Sequence, residues 1–219
     1  MAYLPCVEIE PDQNANRSVI WLHGLGADGN DFAPIVPHLH GPAGAHIRFV
    51  FPHAPQIPVT INGGMRMPAW YDILSMSIER QVDSEQLRAS ARAVGDLIQR
   101  EIERGVNPEH IVIAGFSQGG AVAYEAALSH PQRLAGLLAL STYLATHDSI
   151  QLSAANRELP ILIQHGSQDP VVPESLGKLA YNWLSDKGYE AKYQSFPMQH
   201  QVCQEQIVAI NQWLQEVFA

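Results

Sequence analysis

The chain has 219 residues, 46% of them apolar and 16% charged, with a formal net charge of −9. That length supports one large α/β domain with a substantial core, and the acidic balance argues against nucleic acid or an anionic membrane surface as a main partner. Its two cysteines, Cys6 and Cys203, stand in no metal-ligand spacing and make no disulfide framework, so reduced thiols in a reducing compartment are expected.

The opening segment from Met1 and Ala2 has no basic start and no apolar core, and no run approaches the roughly 18 apolar residues of a membrane span. A cytoplasmic protein without stable membrane insertion is expected. Residues 18–22 read as a buried strand running into the Gly-rich turn His23-Gly24-Leu25-Gly26. Asn30 or Asp31 is placed to cap a short helix ending near Pro37. Residues 47–51 form the next strand, closed by Pro52.

Residues 52–81 read as a long irregular loop, punctuated by Pro52, Pro55, Pro58, Pro68 and the pair Gly63-Gly64. The loop is also apolar, with Ile57, Val59, Met65, Met67, Trp70, Tyr71, Ile73, Leu74 and Met76. These residues either pack beneath it as a satellite core or line an acyl or alcohol pocket, for which Ile57, Met65, Trp70, Ile73, Leu74 and, further along, Val171 are the candidates. Exposed apolar residues here suit a substrate groove or a homodimer contact equally.

A helix follows over residues 83–105, capped by Asp83, with Leu87, Ala91, Val94, Ile98 and Ile102 on one face and Gly105 at its stop. Residues 111–114 are a short β-branched run that passes through Gly115-Phe116-Ser117-Gln118-Gly119 into a helix-forming stretch. Strand, G-x-S-x-G and helix together are the pattern of a nucleophile elbow. Side chains at positions 115 and 119 would collide in so sharp a turn. Further strands are read at residues 134–140, 160–164 and 191–196, with helices at 173–187 and near the C-terminus, the last burying Ile207, Ile210, Leu214 and Val217. Alternating strands and helices predict a single α/β domain over residues 1–219, a mainly parallel sheet with helices on both faces and no separate lid domain. In such sheets functional groups gather beyond the carboxyl ends of the strands.

A serine hydroxyl needs a base within hydrogen-bond reach, and the base needs a carboxylate that fixes its tautomer. Ser117, Asp169 and His200 occur in the order nucleophile, acid, base and each follows a strand. Of the ten histidines, His38, His40, His46, His110, His130 and His147 sit in surface or turn segments, His53 precedes the nucleophile, and His23 and His165 stand before glycines where they hold turns. Asp169 is kept extended by Pro170, whereas Asp148 and Asp186 lack any such restraint. The turn after the first central strand supplies a second anion-stabilising N–H, that of Leu25, beside the N–H of Gln118 at the helix start.

These segments resemble the phospholipase/carboxylesterase branch of the α/β-hydrolases, which includes acyl-protein thioesterases. The likeness spans nearly the whole chain: Leu22-His23-Gly24-Leu25-Gly26, Pro52-His53-Ala54-Pro55 with Pro58-Val59-Thr60 and Trp70-Tyr71-Asp72, the elbow, His165-Gly166 with Asp169, Val171, Val172 and Pro173, and Met198 with His200. Ala27-Asp28-Gly29 stands where many eukaryotic members have Asp-Thr-Gly, which looks like the bacterial carboxylesterase side. The resemblance implies an α/β-hydrolase fold, a Ser117–His200–Asp169 triad and oxyanion donors Leu25 and Gln118. It implies no cofactor and no metal, and a small-molecule ester as substrate. The expected activity is hydrolysis of short- to medium-chain carboxylic esters, with acyl-protein thioesters and lysophospholipids as rivals. Other classes are a non-catalytic binding protein on the same fold and a metallohydrolase built from His23, His165, His200 and Asp169, for which no ligand spacing speaks.

Overall fold

The computed structural model describes residues 3–75 and 81–219. Met1, Ala2 and Met76, named above, lie outside the described residues. In chain order the strands are β1 (Cys6–Ile9), β2 (Arg17–Leu22), β3 (Ile47–Pro52), β4 (Gln56–Val59), β5 (Met65–Pro68), β6 (Ile73–Ser75), β7 (Gln81–Val82), β8 (Ile111–Phe116), β9 (Gly136–Leu140), β10 (Ile161–Gly166) and β11 (Ala191–Phe196). The helices are α1 (Ser84–Glu103), α2 (Gln118–Ser129), α3 (Glu174–Asp186) and α4 (Gln204–Val217).

Seven strands form the main sheet in the order β1-β3-β2-β8-β9-β10-β11. All neighbours are parallel except β1, which pairs antiparallel with β3. The central strands bury both faces. Ile20 and Leu22 of β2 enter a core shared with α1, α2 and α3, while Val19 and Trp21 enter a second core shared with α4. Period-2 side-chain direction with apolar residues at every position is what a parallel sheet covered on both sides requires. Asp83 caps α1 through its carboxylate, which accepts from the N–H groups of Glu85 and Gln86.

Two expectations are corrected and one element is added. The short helix before Pro37 is a 3-10 turn over Ala33–His38 with no side-chain cap, and Pro37 inside it has no N–H to give to the Ala33 carbonyl, the bond an α-helix would make there. The segment expected to be irregular holds two hairpins, β4–β5 and β6–β7. Between β4 and β5 the chain turns at Gly63 and Gly64, whose φ values are 66° and 78°. Strand β1 was not foreseen. It is short and only partly buried, and it is held by charge as well as by the ladder: Arg100 of α1 and Arg104 just past its end pair with Glu8, while Glu10, the residue after the strand, pairs with Arg48 and Arg104.

Burial pushes the pKa of His23, His110, His130 and His165 below the ordinary 6.5. The native state therefore holds these rings neutral at pH values where the unfolded chain protonates them. Their contribution to stability is complete above pH 6.5 and declines as the pH falls through that value, because unfolding then takes up protons. The carboxylates whose pKa values are lowered, Glu8, Asp28, Asp169 and Glu174, add losses of the same sign only at lower pH. Denaturant titration at about pH 7.5 and 5.5 is expected to show a lower midpoint at the acid value, with net proton uptake on unfolding. A higher midpoint at pH 5.5 contradicts this reading of the buried histidines.

Candidate active site

One residue separates strand β8 from helix α2, and it is Ser117. Its backbone sits at φ 53° and ψ −120°, a strained conformation worth of order 1–3 kcal/mol for a residue with a side chain. Two hydrogen bonds hold it: Ser117 N–H donates to the Leu140 carbonyl at 2.9 Å, and Thr142 Oγ1 donates to the Ser117 carbonyl at 2.6 Å. Strand and helix approach so closely that a Cβ at Gly115 would strike the Gly119 carbonyl, and one at Gly119 would lie 2.6 Å from the Leu22 carbonyl oxygen. The two elbow glycines are thus required by space.

Strand β10 ends beside the β9 end, and the loop after it carries Asp169. The segment following β11 is fastened to that loop, since the N–H groups of Ser167 and Gln168 donate to the carbonyls of Phe196 and Met198 at 2.8 and 3.1 Å. This places His200 between the other two groups. His200 Nδ1 lies 2.6 Å from Asp169 Oδ2, and Nε2 lies 2.9 Å from Ser117 Oγ. A carboxylate can only accept, so Nδ1 carries the proton and Nε2 is free to accept from the hydroxyl. The Phe116 ring, 4.8 Å from the imidazole centroid to centroid, walls its side.

The Asp169 side chain is fully buried. Burial alone would raise its pKa, but hydrogen bonds from His200 and from the backbone N–H groups of Val172 and Val171 outweigh it and hold the carboxyl below its ordinary 3.8. Both N–H groups reach Oδ1 at 2.8 Å. His165 steadies the same turn, donating from Nε2 to the Val172 carbonyl at 2.8 Å.

The turn after β2 is aimed by a second histidine. His23 Nε2 accepts from the Ala54 N–H at 3.1 Å, so its proton is on Nδ1, which donates to the Gly24 carbonyl at 2.8 Å. In a planar trans peptide the carbonyl and the next N–H point opposite ways. With the Gly24 oxygen turned to the His23 ring, the Leu25 N–H points away from it. The turn abuts the elbow, for a Cβ on Gly24 would lie 3.5 Å from Ser117 Cβ. Among the described residues the Leu25 N–H meets no main-chain acceptor, and the Gln118 N–H, first in α2, has no intrahelical one.

Of the six candidate pocket residues, Trp70 and Ile73 are core residues, 1% and 4% exposed, while Met65, Leu74 and Val171 are 65%, 47% and 43% exposed in turn. For the neighbours Ile73 and Leu74 the cause is strand alternation in β6, which turns successive side chains to opposite faces. Ile57 and Trp70 border a small groove against α1 with Leu4, Pro55 and Ala89. A larger cleft of about 760 Å³ opens elsewhere, between the segment after β9 and α3, lined by Tyr143, Leu144, Leu176, Leu179 and Trp183 among others. None of the six lines it. Sequence reasoning also missed the Gln118 side chain, buried and bound to the backbone of Trp70 and Tyr71. Its partners lie 47 and 48 residues earlier, a separation that leaves no local signal.

The phospholipase/carboxylesterase family model matches residues 5–218. An acyl-protein thioesterase 1 from Gibberella zeae is 37% identical over 210 residues, covering 91% of this chain and 89% of that protein. The protein of the same name from Neurospora crassa is 38% identical, covering 91% of this chain and 86% of its own. The crystal structure of SOBER1 from Arabidopsis thaliana matches with a TM-score of 0.87 at 28% identity, over 94% of this chain and 100% of that one. No helix among the described residues is long and apolar enough to cross a membrane. The chain has the α/β-hydrolase fold, is a hydrolase, and belongs to the phospholipase/carboxylesterase family.

Proposed function

We propose that this protein is a serine carboxylesterase that works through an acyl-enzyme, with Ser117 as nucleophile, His200 as general base and acid, and Asp169 as the carboxylate that orients it. One observation carries the reading: a single imidazole has Ser117 Oγ at 2.9 Å on Nε2 and Asp169 Oδ2 at 2.6 Å on Nδ1. As Oγ bonds to the acyl carbon, its proton passes to His200 Nε2. The charge that develops on the carbonyl oxygen is met by the N–H groups of Leu25 and Gln118, and by the partial positive end of α2. The imidazolium then protonates the leaving oxygen as its bond to carbon breaks. Water repeats the sequence on the acyl-enzyme, giving its proton to His200, which returns it to Ser117.

The preferred substrates in this reading are small carboxylic esters of short to medium acyl length. A second reading, hydrolysis of acyl-protein thioesters, is favoured by the two fungal relatives that carry that name. The same chemistry serves both, because a thiolate leaves without needing more from the site than an alkoxide does. The Ala27-Asp28-Gly29 difference does not separate them. Asp28 caps Asn30, and the Gly29 N–H donates to His53 Nδ1 at 3.1 Å, so these residues build the turn. The cleft beside α3 joins apolar walls, Leu144, Leu176, Leu179 and Trp183, to a polar side with Asp148 and Asp186, so it favours neither class.

Intact-mass analysis after fluorophosphonate treatment is expected to show one adduct, at Ser117. Ser117→Ala should stay folded by circular dichroism, lose the adduct and lower kcat by roughly 10⁴- to 10⁶-fold. A loss under about tenfold means another nucleophile. Asp169→Asn should lower kcat by about 10³- to 10⁴-fold, since an amide can present a donor to Nδ1 and select the wrong tautomer. A steady-state comparison of p-nitrophenyl esters of rising length with an S-acylated peptide decides between the two substrate readings. Higher kcat/KM on short esters supports the first, and higher kcat/KM on the peptide supports the second.

A further inference from the structure

Trp70 stands outside the reacting groups, yet it touches both arms of the oxyanion site. Its indole Nε1–H donates to the His23 carbonyl at 2.8 Å. Its backbone N–H donates to Gln118 Oε1 at 2.9 Å, and the next carbonyl, that of Tyr71, accepts from Gln118 Nε2 at 2.7 Å. The Trp70 carbonyl in turn accepts from Ser90 Oγ on α1 at 2.5 Å. Every polar group of this buried residue is therefore engaged, and the indole ring packs 5.1 Å from the His23 imidazole, centroid to centroid.

The His23 carbonyl is the pivot. It lies against the start of α2, where a Cβ on Gly119 would meet it at 2.5 Å. Its orientation fixes the plane of the His23–Gly24 peptide, the step before the Gly24–Leu25 peptide whose N–H faces the site. The indole donor satisfies this carbonyl and sets that plane from one side. From the other, the Trp70–Tyr71 backbone grips the Gln118 amide and so holds the residue whose own N–H is the second donor.

We propose that Trp70 is a positioning residue for the oxyanion site, acting on the Leu25 N–H through the His23 carbonyl and on the Gln118 N–H through the Gln118 side chain. This rests on the assignment of Leu25 and Gln118 as oxyanion donors made above. Trp70 makes no contact with substrate in this role, and its influence is felt where charge builds on the carbonyl oxygen. Its loss therefore acts on the transition state and leaves ground-state binding in place.

The test replaces Trp70 by β-(3-benzothienyl)alanine, which keeps the bicyclic shape and puts sulfur where the N–H was. 5-Fluorotryptophan at the same position serves as the variant that keeps the donor, and Trp70→Phe is a third. Kinetics on a p-nitrophenyl ester are paired with inhibition by a trifluoromethyl ketone, whose hemiketal with Ser117 places an oxyanion in the site. The benzothienyl variant is expected to lose about 10- to 100-fold in kcat, with KM within about twofold and ketone affinity falling by a similar factor. The fluorinated variant should stay within about twofold of the parent throughout.

An unchanged kcat in the benzothienyl variant overturns the proposal. So does a raised KM at constant kcat, which makes Trp70 a substrate contact, and so does a lowered Tm with full activity per folded molecule, which makes it packing alone. A parent protein that takes up no fluorophosphonate at Ser117 overturns the site assignment itself, a failure separate from these.

Discussion

The reversal of the chain at Ser117 is the constraint from which the rest of the site follows. A strand that becomes a helix across one residue must place that residue at positive φ, here 53°, and must bring strand and helix backbones into contact. The strain is tolerable because β8 lies in the middle of the sheet, between β2 and β9, where neighbours on both sides fix it. The Leu140 carbonyl and the Thr142 hydroxyl each supply one bond to the Ser117 backbone. What the strain secures is position: the Ser117 hydroxyl stands clear of the sheet, with the unpaired N–H groups of α2 directly behind it.

Around this point the chain uses side chains mainly to orient backbone. His23 turns the Gly24 carbonyl, Trp70 turns the His23 carbonyl, His53 holds Gly29, and Gln118 holds Trp70 and Tyr71. Asp169 does both jobs, accepting from the Val171 and Val172 N–H groups with one oxygen and from His200 with the other. Such arrangements are in place before any substrate binds, which in the mechanism proposed above leaves little reorganisation to the moment when charge develops. They also explain why the segment between β3 and α1 is long. It must pass over the rim of the sheet to carry Ala54 to His23 and Trp70 to both the turn and the elbow.

The features written in local sequence were those that local physics dictates. The β-branched runs of β2, β3 and β8, the last strand at residues 191–196, the Asp83 cap and the glycines of the elbow all express near-neighbour sterics or period-2 burial. Strand β1 escaped because Cys6-Val7-Glu8-Ile9 is short, and its stability comes from partners about 40 to 100 residues away. The β4–β5 hairpin escaped because Pro58 and Pro68 argue against strands, yet a two-stranded ribbon has free edges where a missing N–H is harmless. The split of Ile73 and Leu74 between core and surface has a related cause. Apolar composition says that a residue avoids water, but only register says which way it turns, and register within β4–β7 depends on turns that composition does not fix.

Ten histidines compete for one role, and their environments discriminate among them. Both ring nitrogens of His23 are engaged by main chain, one accepting from Ala54 and one donating to Gly24. His165 donates to the Val172 carbonyl and presses its other nitrogen toward Gly177, where a Cβ would collide with it. Burial pushes both of these rings toward the neutral form and fixes their protons in place. His147 meets Asp148 at 3.2 Å, but its other nitrogen faces the Leu144 carbonyl and the pair is open to water. Among the described residues, His200 alone has a buried carboxylate on one nitrogen and a hydroxyl on the other. A ring with both nitrogens taken up by main chain, as at His23, braces a turn, whereas one set between a carboxylate and a hydroxyl turns an accepting nitrogen to the hydroxyl. The same side chain thus braces main chain at positions 23 and 165, while at position 200 it bridges a buried carboxylate and a hydroxyl, the setting that the proposed base requires.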